Sequence, residues 1–211
     1  MNSPRIALPA VLALFVLLTL AAAAPGAVSV IGPFAGDLSD TFDQYSSVNA
    51  VQQLSVFNGA GVIRNLSAGG AIKIEFASQF NGDLVVPISG MMMGQLGIAD
   101  WVFTTPAARF GGYWENNSGA SDATVSFFDA TDNLVGTAVA SVPVSGQQWV
   151  WNGWESDVPF VRMHVVGNGV INGFIWYENV QLARVPEPSG AGAALAGGGT
   201  LLVGRRRRRC G

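Results

Sequence analysis

From Val28 to Arg184 this 211-residue chain alternates apolar and polar residues over short runs. Ile72, Ile74 and Phe76 fall on one face of an extended segment, with Lys73 and Glu75 on the other. Val161, Met163 and Val165 repeat the pattern against Arg162 and His164, and Trp101 and Phe103 start it again before Thr105-Pro106, which reads as a strand stop. No window sustains a helical apolar period without a Gly, Pro or polar interruption. Turn signals separate the runs: Asn58-Gly59, Gly69-Gly70, Asn81-Gly82-Asp83, Asp132-Asn133 and Gly167-Asn168-Gly169. About ten short strands at this spacing predict an all-β fold, an antiparallel β-sandwich, over residues 27–184. That length is enough for one hydrophobic core.

Charge narrows the function classes. Only 12% of residues are charged, about half the usual share. Between Val28 and Arg184 stand thirteen acids and five bases, so nucleic acid is excluded as a partner, because phosphate contacts need Lys and Arg. The single Cys210 rules out an intrachain disulfide, and the single His164 rules out zinc sites built from several His or Cys ligands. No G-x-S-x-G motif accompanies that histidine. The carboxylate pairs Asp129/Asp132 and Glu155/Asp157 sit in turn-like sequence, where such residues cap backbone N–H groups. The expectation is a protein without catalytic residues.

The two ends read as addresses. Arg5, an apolar run over residues 6–20 and small residues at 21–24 form a signal peptide, residues 1–26. At the other end Val185, Pro186, Glu187 and Pro188 break regular structure. Residues 189–204 would span about 24 Å as a helix against roughly 30 Å of hydrocarbon, and six Gly and four Ala among them make a weak anchor. Arg205, Arg206, Arg207, Arg208 and Arg209 follow, a cluster that stays cytoplasmic while the body lies outside.

In that order the motif, the short span and the arginine cluster resemble the PEP-CTERM sorting signal of bacterial exported proteins, over residues 185–211. The resemblance implies an exosortase-type processing enzyme as partner and a transient stay in the inner membrane. The destination it implies is the cell envelope, cell surface or exopolysaccharide matrix. A second, looser resemblance covers the body. The segments at 40–45, 110–114, 127–136, 149–154 and 173–182 resemble jelly-roll domains of galactose-binding-like type, whose relatives include carbohydrate-binding modules. The function expected is therefore a non-catalytic surface or matrix protein, with recognition of extracellular polysaccharide as the alternative.

Two sets of residues carry candidate chemistry. Trp149 and Trp151 share one strand face and form either a wall of the core or a platform for sugar rings, with Trp154 close by. Trp114 precedes Glu115 and Asn116, polar groups suited to sugar hydroxyls, or else it caps the core. On the closing strand, period two puts Phe174, Trp176, Glu178, Val180 and Leu182 on one face. An acid in that apolar row needs a partner. Arg162 or Arg109 would supply an ion pair. The jelly-roll resemblance instead implies a structural Ca2+ held by Glu178 with Asp40 or Asp43.

Overall fold

The computed structural model describes residues 27–76, 90–116, 122–142, 149–167 and 174–185. The signal segment and, from Pro186 onward, the sorting tail with Glu187, Pro188 and Arg205–Arg209 lie outside the described residues, as do the turn at 81–83 and most of that at 167–169. Among the described residues no helix is long and apolar enough to cross a membrane.

Among the described residues twelve strands run in chain order: β1 (Val28–Val30), β2 (Leu38–Asp40), β3 (Val48–Val51), β4 (Gln53–Val56), β5 (Gly61–Asn65), β6 (Ala71–Phe76), β7 (Met91–Leu96), β8 (Ile98–Asn116), β9 (Ala123–Phe128), β10 (Leu134–Ala140), β11 (Val150–Val166) and β12 (Phe174–Arg184). Every pairing is antiparallel. The expected all-β architecture is present, but two of its strands are far from short. β8 has 19 residues and β11 has 17.

These two strands build both layers of a sandwich. Residues 98–103 of β8 pair with β5 and with residues 162–166 of β11, which continue to β9 and β10. Residues 107–116 of β8 pair with residues 150–160 of β11 and with β12, which continues to β7, β6 and β3. Between the halves the ladder jumps from Glu155↔Arg109 to Phe160↔Ala107. The strands bend there, and the bend contains Pro106 and Pro159. Proline has no N–H to offer a ladder, and at a register jump none is required. Thr105-Pro106 is therefore a corner within one strand, not a stop.

The bend folds each long strand onto itself. Trp101 and Phe110, nine positions apart on β8, meet edge-on at 5.2 Å. Trp101 also meets Tyr177 of β12 at 5.3 Å, and Phe127 of β9 meets Trp154 and Phe160 of β11 at 5.7 and 5.1 Å. Ile72, Ile74, Trp101, Met163 and Val165 are fully buried, as their alternation predicts, whereas Phe76 is 50% exposed at the end of β6. The buried Gln95 adds a polar tie between layers. It accepts from the Tyr177 hydroxyl at 2.8 Å and donates to the Val165 carbonyl at 3.2 Å. Burial pushes the Tyr177 phenol well above its ordinary pKa.

Turn chemistry follows the sequence reading where it is described. Asn58 and Gly59 close the β4–β5 hairpin with positive φ. Asp129 organises the β9–β10 hairpin: its Oδ1 accepts from the N–H groups of Thr131 and Asn133 at 2.8 and 2.9 Å and from the Thr131 hydroxyl at 2.8 Å. Those bonds, led by the Asn133 N–H, hold its carboxyl at about 2.

Two outcomes follow. Asp40, 1% exposed, accepts from the N–H groups of Phe42 and Phe57, the Gln44 amide and the Tyr45 hydroxyl. Asp40→Ala orphans two buried N–H groups and should lower the unfolding free energy by about 3 kcal/mol in urea melts, with Asp40→Asn costing less. Because the folded-state pKa of Asp129 is depressed, its contribution is present above the unfolded value and is lost as pH falls through about 2. The urea midpoint of Asp129→Ala should lie below wild type at neutral pH and converge on it toward about pH 2.

Candidate functional site

The outer face of the second layer gathers residues that the sequence offers for two separate purposes. Reading across β6, β7, β12, β8 and β11, the register aligns Glu75, Met92, Glu178, Tyr113 and Trp151 near one level, and Lys73, Gly94, Trp176, Glu115 and Trp149 at the next. Glu115 and Glu178 are thus diagonal neighbours in the centre, both fully buried, with aromatic side chains around them.

Glycines make room for the indoles. A Cβ on Gly94 would stand 2.5 Å from the Trp176 ring, so only glycine lets that ring lie against β7. Gly111 and Gly153 do the same for Trp151, with hypothetical Cβ contacts of 2.5 Å each. Its indole rests over two adjacent strands. The Trp151 Nε1 donates to the Ile31 carbonyl at 3.1 Å, and the rings of Phe34 and Tyr113 meet it edge-on at 5.9 and 5.3 Å. Trp151, Tyr113, Phe34, Trp149 and Phe174 are each partly exposed. Phe174 stacks on Trp176 at 5.2 Å, and the Lys73 ammonium lies 5.1 Å from the Phe174 ring centre.

Other expected site residues go elsewhere. Trp114 is 0% and Trp154 1% exposed, and they pack on each other at 5.4 Å inside the sandwich. Both carry the core parity of β8 and β11, so neither can stack on a ligand. Asn116 is buried at the end of β8. The predicted single face of β12 does not survive either. Asn179 adopts φ 48°, and the ladder to β8 slips between Glu178 and Gln181. This bulge reverses the parity: Ile175 and Tyr177 before it, and Val180 and Leu182 after it, reach the core, while Trp176 and Glu178 face outward.

The bulge also disperses the expected calcium ligands. Asp40 pairs with Val180 on the core side, and its carboxylate is occupied by four protein donors. The Asp43 Oδ1 accepts from Met91 N–H at 3.0 Å, and Glu178 lies on the opposite face. Among the described residues no group of three His, Cys, Asp or Glu side chains could hold a metal ion. The expected arginine partners of Glu178 are engaged elsewhere. Arg109 Nη2 lies 2.6 Å from Glu155 Oε1, and Arg162 pairs with Asp132 and lies 3.5 Å from Asp100.

The first layer's outer face carries the only histidine. Asp100, His164 and Ser126 are cross-strand neighbours on β8, β11 and β9. Asp100 Oδ1 lies 2.7 Å from His164 Nδ1, while no hydrogen bond joins Ser126 to the imidazole. The arrangement is an ion-pair cluster with Arg162, whose guanidinium stacks 3.7 Å over Phe128.

No protein family known from sequence matches the chain, and no curated protein matches it. Solved structures resemble it at a distance. The K2 cleaved adhesin domain of Lys-gingipain is similar over 69% of this chain and 98% of its own, at 10% identity and a TM-score of 0.49. An arabinose-bound MgGH51 α-L-arabinofuranosidase is similar over 69% of this chain and 26% of its own, at 8% identity and a TM-score of 0.44. The CBM22-1–GH10 modules of Clostridium thermocellum xylanase 10B, complexed with xylohexaose, match 59% of this chain and 26% of their own at 13% identity and a TM-score of 0.38. Likenesses this distant assign neither a family nor an activity.

Proposed function

We propose that the chain is an exported, non-catalytic protein of the cell surface or polysaccharide matrix, sorted through its Pro-Glu-Pro tail, and that its galactose-binding-like sandwich contacts extracellular polysaccharide through the outer face of the second layer. The observation that carries the binding role is Trp151: a partly exposed indole held against the sheet by Gly111 and Gly153 and flanked by Phe34 and Tyr113. A pyranose ring presents an apolar C–H face and a rim of hydroxyls. It suits an amphipathic aromatic platform whose position is fixed before binding.

The sorting role is supported by the position of the last described strand. β12 finishes at Arg184, and the Val185 N–H still donates to the Pro106 carbonyl at 3.0 Å. A cut within residues 186–188 would leave all twelve strands in the released body. The short glycine-rich span at 189–204 suits brief retention in the inner membrane until an exosortase-type enzyme acts.

Trp151→Ala should weaken polysaccharide binding at least about tenfold, about 1.4 kcal/mol, measured by affinity electrophoresis in neutral and charged polymers. Its melting temperature should fall less than that of the core variant Trp101→Ala. Binding unchanged by Trp151→Ala together with Tyr113→Ala would move the ligand off this face. Intact-mass analysis of the mature protein should find Arg205–Arg209 removed, and deleting residues 185–211 should preserve export while changing the destination. An extracellular product that retains the arginines sinks the processing reading.

A further inference from the structure

We infer that the polysaccharide accepted by the aromatic face carries no anionic substituents: it is uncharged or amine-bearing, not a uronate, sulfated or phosphorylated polymer. This rests on the reading that the face binds polysaccharide, and it concerns which chemical class can enter.

The cations decide it. Five bases stand among the thirteen acids between Val28 and Arg184. Arg64 and Arg162 belong to the other layer, aligned with Asp100 and Val102 of β8. Arg184 at the end of β12 is bonded to Asp37. Two cations remain on the aromatic face, and each is engaged by a carboxylate. Lys73 Nζ lies 3.7 Å from Glu75 Oε1, and Arg109 donates from Nη2 and Nε to Glu155 Oε1 at 2.6 and 2.8 Å. The other ionisable side chains on this face, Glu115 and Glu178, are buried acids and add no cation.

The connecting segments add no rescue. Residues 77–89, 117–121, 143–148 and 168–173 contain no Lys, Arg or His, and their one charged residue is Asp83. A repeating anionic substituent would meet a body with thirteen acids against five bases between Val28 and Arg184, with no unengaged cation among the described residues of this face to answer it. Carboxylate and phosphate are held most strongly by such cations, arginine above all. An ammonium substituent would be drawn in by the same excess of acids, the more so at low salt.

The test is calorimetric titration of the mature protein, lacking the signal segment and Arg205–Arg209, with three soluble oligosaccharide series: a neutral glucan, a de-N-acetylated glucosamine polymer and a polyuronate. Each is run at about 0.02 M and about 0.3 M salt. The expected result is binding of the neutral or the amine-bearing series, with the polyuronate at least about tenfold weaker at low salt and the gap narrowing at high salt. Affinity for the amine-bearing series should fall as salt rises, and Trp151→Phe should keep the order of preference. Polyuronate binding as tight as the neutral series overturns the inference while leaving the polysaccharide reading in place. Failure of all three series to bind overturns both.

Discussion

The sandwich depends on two strands that are paired on both sides of a shared corner and bend together. β8 and β11 bring the aromatic residues of each arm, Trp101 and Phe103 on one side of the corner and Phe110 and Trp114 on the other, into a single interior. A flat ribbon of that length would leave one of these sets in water. Each large aromatic buried by the fold contributes several kcal/mol, so closing the corner satisfies both arms at once. Prolines at the corner fit because the ladder is interrupted there. All the other described strands attach to an arm of this ribbon directly or through a series of neighbours.

The same geometry creates the outer aromatic face. Period two places one residue in the core and the next outside, so an aromatic pair spaced by two must share a fate. Trp149 and Trp151 go outward together, while Trp154, three positions beyond Trp151, goes inward. On β12 the bulge at Asn179 lets one strand serve both sides. It keeps Tyr177 and Val180 in the core although they are three residues apart, and it releases Glu178 from the apolar row. The acid that looks anomalous by strict alternation is outward-facing, beside Trp176 and diagonal to Glu115.

Alternation made the strand class and several core residues legible: Ile72, Ile74, Trp101, Met163 and Val165 were placed by their neighbours alone. The β9–β10 hairpin and the capping role of Asp129 were legible because turn chemistry is local. Four features were not. Whether Trp114 or Trp151 faces the core depends on which side of the sheet the second layer covers, and this is a long-range fact. The corner at Pro106 looked like a termination because a proline breaks a ladder unless the ladder has already slipped. The Asn179 bulge had a faint signal, since asparagine tolerates positive φ better than most residues, but a single Asn within an apolar run does not announce a slip. The Tyr113–Trp151–Phe34 group was missed for a related reason: Phe34 comes from the segment between β1 and β2, far away in sequence.

With one cysteine, at position 210, the body has no disulfide to staple its layers. Buried polar knots serve instead. Asp40 joins β2 to the turn after it and to Phe57. Gln95 bridges Tyr177 and Val165 across the layers. Asn152 exchanges two 2.8 Å bonds with the backbone of Ser141 just past β10. Each is specific because a buried amide or carboxylate is costly unless its partners are in place. A sliding strand would break such a knot, whereas apolar contacts alone tolerate sliding by two residues. The knots therefore fix register, and register is what keeps Trp151 over Gly111 and Gly153. The candidate binding surface on the outside is held in position by polar bonds on the inside.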